Sequence, residues 1–137
     1  MLKLKTETIP RPLKKGDQFV TASVSSIPSN ENLLSEGIKV LEEWGLIHRR
    51  HPMNKKTWGY FSGTDEERFK ELHPKYNAKL IAFVRGGWGA SRLLEQKQPW
   101  KKGWLVGYSD ISSILLSRLS AGFDGGIHGP LLTSLST

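Results

Sequence analysis

Residues 104–116 read Trp-Leu-Val-Gly-Tyr-Ser-Asp-Ile-Ser-Ser-Ile-Leu-Leu, and Ser109 stands where two patterns meet. Trp104, Leu105 and Val106 form a short apolar run. Ile111, Leu115 and Leu119, with Ile114 beside them, then recur at the spacing of one helix face. The layout predicts a strand, a sharp turn and a helix. A serine at such a bend has its hydroxyl pushed into the open and its backbone beside a helix N-terminus, the geometry of a nucleophile elbow. The residues are Gly-Tyr-Ser-Asp and not Gly-x-Ser-x-Gly, so the match to the generic pattern is partial. Serine is also a favoured helix N-cap. On this segment alone both readings stand.

A second turn of chemical interest is Gly86-Gly87-Trp88-Gly89, which follows the nearly continuous apolar run of residues 79–84. Glycines there allow close backbone approach and expose N–H groups at a helix start, which suits a phosphate or an oxyanion. The spacing is not Gly-x-Gly-x-x-Gly and no Walker lysine follows. Tight strand–helix packing is the plainer use of the same glycines. A reactive serine needs a base, and the base needs an orienting carboxylate. His48 and His51 lie at or after the second strand, and His73 falls on an exposed helix end. His128 follows the strand expected beside Ser109 and is the histidine best placed to approach it. These residues do not complete a triad. Neither histidine spacing nor clustered carboxylates suggest a metal, and no cofactor is expected. Trp58, Tyr60 and Trp88 read as pocket walls or packing, with Tyr60 and Trp88 as candidate walls of a substrate groove.

These turns need a scaffold, and the pattern supplies one. Pro10 and Pro12 keep the opening segment extended. Residues 17–24 read as a first strand, ending at Ser25-Ser26. A helix from about Asn30 carries Leu34, Ile38 and Leu41 on one face, and Gly45 stops it. Residues 46–48 make a short second strand, and residues 51–63 a loop. Thr64 with Glu67 forms a capping box, opening a helix that buries Phe69, Leu72 and Tyr76. The run 79–84 has the continuous apolar character of a strand covered on both faces. After the Ser109 strand and helix, a last short strand lies near 126–128. Such alternation predicts an α/β fold: an open parallel sheet of about five strands with helices on both faces, in flavodoxin-like or glutamine-amidotransferase-like layering.

The chain has 137 residues, enough for one domain with its own core. Without cysteine it has no disulfides or thiolate metal sites. Neither a signal-peptide core nor a membrane-length apolar run is evident, so a cytoplasmic protein away from membranes is expected. Twenty basic residues against thirteen acidic ones give a net charge of +7. The positive residues are dispersed, as at Lys14, Lys15, Arg49, Arg50, Lys101 and Lys102, with no basic stripe or stacking motif. Nucleic acid is therefore not an expected partner.

Taken in order, the motifs become specific. They are Pro12-Leu-Lys-Lys-Gly-Asp17, a strand ending in Ser25-Ser26, Gly59-Tyr-Phe-Ser-Gly-Thr-Asp-Glu-Glu-Arg68, Arg85-Gly-Gly-Trp-Gly89, Gly107-Tyr-Ser-Asp110 and His128-Gly-Pro130. The series resembles the N-terminal domain of the LD-carboxypeptidase family, serine peptidases that include murein tetrapeptide LD-carboxypeptidases and microcin C self-immunity hydrolases. The resemblance covers the chain from about Arg11 onward. It implies that Ser109 is the nucleophile. It implies an oxyanion hole of backbone N–H groups from Asp110 and from Gly86 or Gly87, and a peptide substrate. In the family the Glu and His of the triad come from a C-terminal domain, and no residue of this chain matches them. The resemblance thus implies one N-terminal, nucleophile-bearing domain over 1–137, with little activity alone and the C-terminal domain as its missing partner. Leu131, Leu132 and Leu135 are expected to lie exposed where that domain would pack, which favours a homo-oligomer. Microcin-immunity-type amide hydrolysis and a non-catalytic anion-binding module are the competing readings.

Overall fold

The structure, a computed structural model, describes residues 9–50 and 57–136. Strands and helices alternate: β1 (Gln18–Ala22), α1 (Glu31–Glu43), β2 (Ile47–His48), α2 (Asp65–Leu72), β3 (Leu80–Phe83), α3 (Ala90–Leu93), β4 (Trp104–Gly107), α4 (Ile111–Ser120) and β5 (Gly126–His128). The strands form one sheet in the order β2-β1-β3-β4-β5, and every pairing is parallel. The order is flavodoxin-like, one of the two layerings expected, and the five-stranded parallel sheet is as the alternation predicts. The chain steps outward from β1 to β2 and then crosses back to β3 on the other side. Because all strands run the same way, the turns that leave β1, β3, β4 and β5 share one edge of the sheet.

Successive side chains of β3 point to opposite faces of the sheet, and both faces are covered. Leu80, Ala82 and Val84 pack with Leu34 and Leu41 of α1, whereas Phe83 packs with Leu72, Ala90, Leu93, Ile111 and Ile114 of α2, α3 and α4. One layer therefore holds α1 and the other holds the remaining helices. On α1, Asn30 caps the first turn through its side chain, and Leu34, Gly37 and Leu41 are buried while Ile38 is half-buried.

The structure corrects several sequence expectations. Strand β1 is shorter than 17–24, because side chains take over its partners: Ser23 N–H donates to Glu71 Oε1 at 2.9 Å, and Ser62 Oγ donates to the Ser23 carbonyl at 2.9 Å. Helix α2 ends at Leu72, so Tyr76 lies beyond it. Its buried face is Arg68 and Leu72, with Phe69 half-buried. On α4 the inward position expected of Leu119 is taken by Arg118, which is buried and donates to the carbonyls of Lys101, Gly103 and Asp124. Leu119 faces outward. Arg118 aliphatic carbons extend the apolar face while its head satisfies turn carbonyls, which leaves the outer position to leucine.

The terminal leucines differ most. Leu131 and Leu132 are buried, and Leu135 is half-buried. Thr133 donates to the Val84 carbonyl through both its N–H, at 3.3 Å, and its hydroxyl, at 3.0 Å. That pair draws the 3-10 turn Leu132–Ser134 onto the end of β3 and against α1. A Cβ on Gly37 of α1 would stand only 2.0 Å from the Leu132 carbonyl oxygen, so this approach requires glycine. The apolar patch expected to promote self-association is covered by the chain itself.

Candidate functional site

Only the three residues 108–110 separate β4 from α4, and the chain must reverse within them. Ser109 takes the strain, with φ of 62°, and among the described residues it is the one non-glycine with positive φ. An L-residue there costs about 1–2 kcal/mol. The N-cap alternative fails because Ser109 stands one residue before the N-cap position of α4 and its hydroxyl accepts no N–H of the first turn. Asp110 holds the N-cap position of α4, and no side chain caps that end. Ser109 contributes only its carbonyl to the helix start, accepting from Ser112 N–H at 2.9 Å. Its side chain is left exposed at the sheet edge.

The glycine turn after β3 closes on this bend. A Cβ on Gly86 would lie 3.0 Å from Ser109 Cβ, 3.1 Å from Ser109 Oγ and 3.3 Å from Asp110 N. Gly87 has φ of 97°, and a Cβ there would fall 2.1 Å from Ser26 Oγ. No hydrogen bond among the described residues uses the N–H of Gly86, Gly87 or Asp110. The arrangement is a serine hydroxyl beside unspent backbone donors from two turns. Such donors stabilise negative charge that develops on an oxygen attacked nearby.

Two residues that sequence reasoning passed over hold these turns. The first is Asp110, whose backbone alone drew notice in the sequence. Its Oδ2 accepts from Ser25 Oγ at 2.7 Å and from Ala90 N–H at 2.9 Å, so it pins the end of the β1 loop and the first residue of α3. The second is Arg68, whose relative exposure is 0%. It donates to the carbonyls of Gly63, Val24 and Gly89, pairs with Asp65 and lies 4.6 Å from the Phe61 ring centre. Burial pushes the Arg68 pKa down, against the pull of Asp65. Asp65 itself is held below the usual carboxylate range, first by its hydrogen bonds from Arg92. The signal for Arg68 was its place four residues before Leu72, on the face that must be buried.

Tyr60 and Trp88 are 84% and 75% exposed. Both belong to the Ser25–Ile27 rim through backbone bonds: Tyr60 through its carbonyl to Ile27 N–H at 3.1 Å, Trp88 through its N–H to Ser26 Oγ at 3.0 Å. His128 pairs in register with Gly107 and sets its ring edge-on to Tyr108 at 6.2 Å. Among the described residues no histidine is hydrogen-bonded to Ser109. His48 stacks on Phe19, and His51 lies outside the described residues. His73 is not on an exposed helix end: it is half-buried between Phe69 and Trp100 and bonds Gln98 at 2.8 Å. Burial lowers its pKa.

Residues 19–129 match the LD-carboxypeptidase N-terminal domain. A Synechocystis protein named a carboxypeptidase is 35% identical over 136 residues, covering 93% of this chain and 44% of its own length. The murein tetrapeptide carboxypeptidase of Pseudomonas aeruginosa is 31% identical, over 88% of this chain and 41% of that protein. Among solved structures, the microcin C7 self-immunity protein superposes with TM-score 0.77 at 25% identity, over 91% of this chain and 40% of that one. The chain thus spans about two-fifths of the length of the curated relatives it matches.

Proposed function

This chain belongs to the LD-carboxypeptidase family through its N-terminal domain, and from that premise we propose that it carries the nucleophile and oxyanion hole of a serine peptidase. The bond cleaved would be an L,D-peptide bond in cytoplasmic murein peptides. The observation that supports this most is the strained Ser109, with its hydroxyl and the Asp110 nitrogen both closing on Gly86. Ser109 Oγ attacks the carbonyl carbon as a base removes its proton, and the N–H groups of Asp110 and of Gly86 or Gly87 receive the oxyanion. On collapse of the tetrahedral species the base returns its proton to the nitrogen, the C–N bond breaks, the D-residue leaves as a free amine, and water hydrolyses the acyl-serine.

No described histidine holds Ser109, so the base and its carboxylate are assigned to the part of the family's length that this chain does not span. An unpaired serine is a weak nucleophile. Residues 1–137 alone are therefore expected to turn over peptide several orders of magnitude more slowly than a full-length form. Tyr60 and Trp88, on the same rim, are assigned to the substrate groove. Microcin-type amide hydrolysis is the second reading, supported by the superposition with the self-immunity protein. The likeness to two murein-named carboxypeptidases, at 30% and 31% identity, supports the first.

The deciding experiment measures release of the C-terminal D-residue from an LD-linked tetrapeptide. It uses this chain extended to the length of its curated relatives, with and without Ser109→Ala. Loss of turnover in the variant supports the reading, and an active Ser109→Ala protein sinks it.

A further inference from the structure

Resting on that reading, we propose that the buried pair Ser25-Ser26, working with the Asp110 carboxylate, is the positioning device that sets the separation of the oxyanion donors. The donors sit on turns that follow different strands, Gly86 and Gly87 after β3 and Asp110 after β4. The ladder between β3 and β4 ends at Ala82 and Val106, short of both turns. Something outside the sheet must register one turn against the other.

Ser25 and Ser26 do this from a third loop. Ser25 Oγ donates to Asp110 Oδ2 at 2.7 Å, and the same carboxylate oxygen accepts from Ala90 N–H at 2.9 Å. One residue on, Ser26 N–H donates to the Gly86 carbonyl at 3.1 Å, and Ser26 Oγ accepts from Trp88 N–H at 3.0 Å. Ser26 Oγ lies directly beneath Gly87, where a Cβ would come within 2.1 Å of it. Each serine thus holds one turn. The two anchors are adjacent residues, whose Cα atoms a trans peptide fixes about 3.8 Å apart. The spacing of the two halves of the hole is in this way tied to a covalent distance. Both serines are buried, where low dielectric strengthens these bonds and penalises any that are lost.

A loop that merely fills space would not link stability to chemistry in this manner. Removing either hydroxyl leaves the backbone bonds and packing in place but takes one side-chain anchor from a turn. A misplacement near 1 Å in a catalytic constellation costs about 10²-fold in rate.

The test uses Ser25→Ala, Ser26→Ala and the double variant in the extended chain, with Ser109→Ala beside them. It reads kcat and KM on the LD-linked tetrapeptide, affinity for a peptide boronate that forms a tetrahedral adduct, and thermal unfolding. Each single variant is expected to lose about 10- to 100-fold in kcat with KM changed less than about threefold. Boronate affinity should fall in parallel with kcat. The double variant should be no worse than about the poorer single one, since both act through one geometry. Should the alanine forms not fold, Ser25→Cys and Ser26→Cys keep the size and replace the hydroxyl by a weaker hydrogen-bonding group. Folded variants with full kcat and boronate affinity overturn the proposal while Ser109→Ala is inactive. An active Ser109→Ala protein overturns instead the reading on which it rests.

Discussion

Gly86 faces Ser109 so closely that a methyl group on it would touch both the serine Oγ, at 3.1 Å, and the next backbone nitrogen, at 3.3 Å. Two turns from different strands meet there in closer contact than a side chain normally tolerates. The contact joins sequence to chemistry, since glycine at 86 lets the backbone of one turn enter the space that a reacting carbonyl would share with the hydroxyl of the other.

Gly86→Ala and Gly87→Ala should therefore fail differently. Gly86 has no positive φ, and its neighbours need yield by only tenths of an ångström. Its alanine variant should lose less than about 1 kcal/mol of stability but displace the Ser109 side chain and lose most turnover. Gly87 combines φ of 97° with a 2.1 Å clash against Ser26 Oγ. Alanine there should cost about 2–3 kcal/mol or more. Urea unfolding of both variants, with the tetrapeptide assay in the extended chain, checks the split. Equal stability losses would refute it.

The left-handed Ser109 should store strain that glycine releases. Ser109→Ala keeps the Cβ and the strain, whereas Ser109→Gly removes both. After allowing for glycine's greater unfolded-state entropy, the glycine form should be more stable than the alanine form by about 0.5–1 kcal/mol. Chemical denaturation of this chain decides it. An alanine form that matches or exceeds the glycine form would mean that the bend is relaxed.

The parallel sheet and the covered strand β3 were legible because strand–helix alternation and a nearly continuous apolar run are local signals. The meeting of the two turns followed only from the family resemblance. Ser109 was legible as the residue at a bend, but whether it capped α4 was not. That choice depends on which residue immediately precedes the helix, and the three-residue link between β4 and α4 puts Asp110 there. Arg68, Arg118 and the Asp110 carboxylate were hidden for another reason. Each satisfies backbone groups of loops distant in sequence, such as Val24 for Arg68 and Ala90 for Asp110. Composition reads those charges as solvated. The burial of Leu131 and Leu132 was missed likewise, since it depends on Gly37 and on Thr133 reaching Val84.

Stability should depend on pH in two separate windows. Burial lowers the His73 pKa, so the unfolded chain takes up the proton first as pH falls. The neutral imidazole's contribution is complete above the unfolded histidine value of about 6.5 and is lost below it. Asp65, held low chiefly by Arg92, contributes above the unfolded carboxylate value of about 3.9 and loses that contribution only in stronger acid. Unfolding free energies measured from about pH 7.5 to 5 should slope downward for the native chain. They should slope less for His73→Phe, which keeps an aromatic ring between Phe69 and Trp100. An unchanged slope would remove His73 as the source.

Arg68 offers the sharpest separation between a buried cation and a surface one. Arg68→Met would leave the carbonyls of Val24, Gly63 and Gly89 without their donor, and Asp65 without one of its partners. Breaking such a buried arrangement on one side costs about 3–5 kcal/mol. Arg68→Lys should recover little, since an ammonium cannot span three carbonyls from the place of a planar fork. Arg92→Ala removes the exposed partner of the same aspartate and should barely change stability. Because Val24 leads into Ser25 and Gly89 ends the glycine turn, loosening Arg68 should disturb the site before the whole fold. Amide hydrogen exchange in a mild Arg68→Lys form should show this as faster exchange at residues 86–90 and 109–110, with β3 still protected. Uniform acceleration across β3 and both turns would show instead that Arg68 holds the fold as one unit.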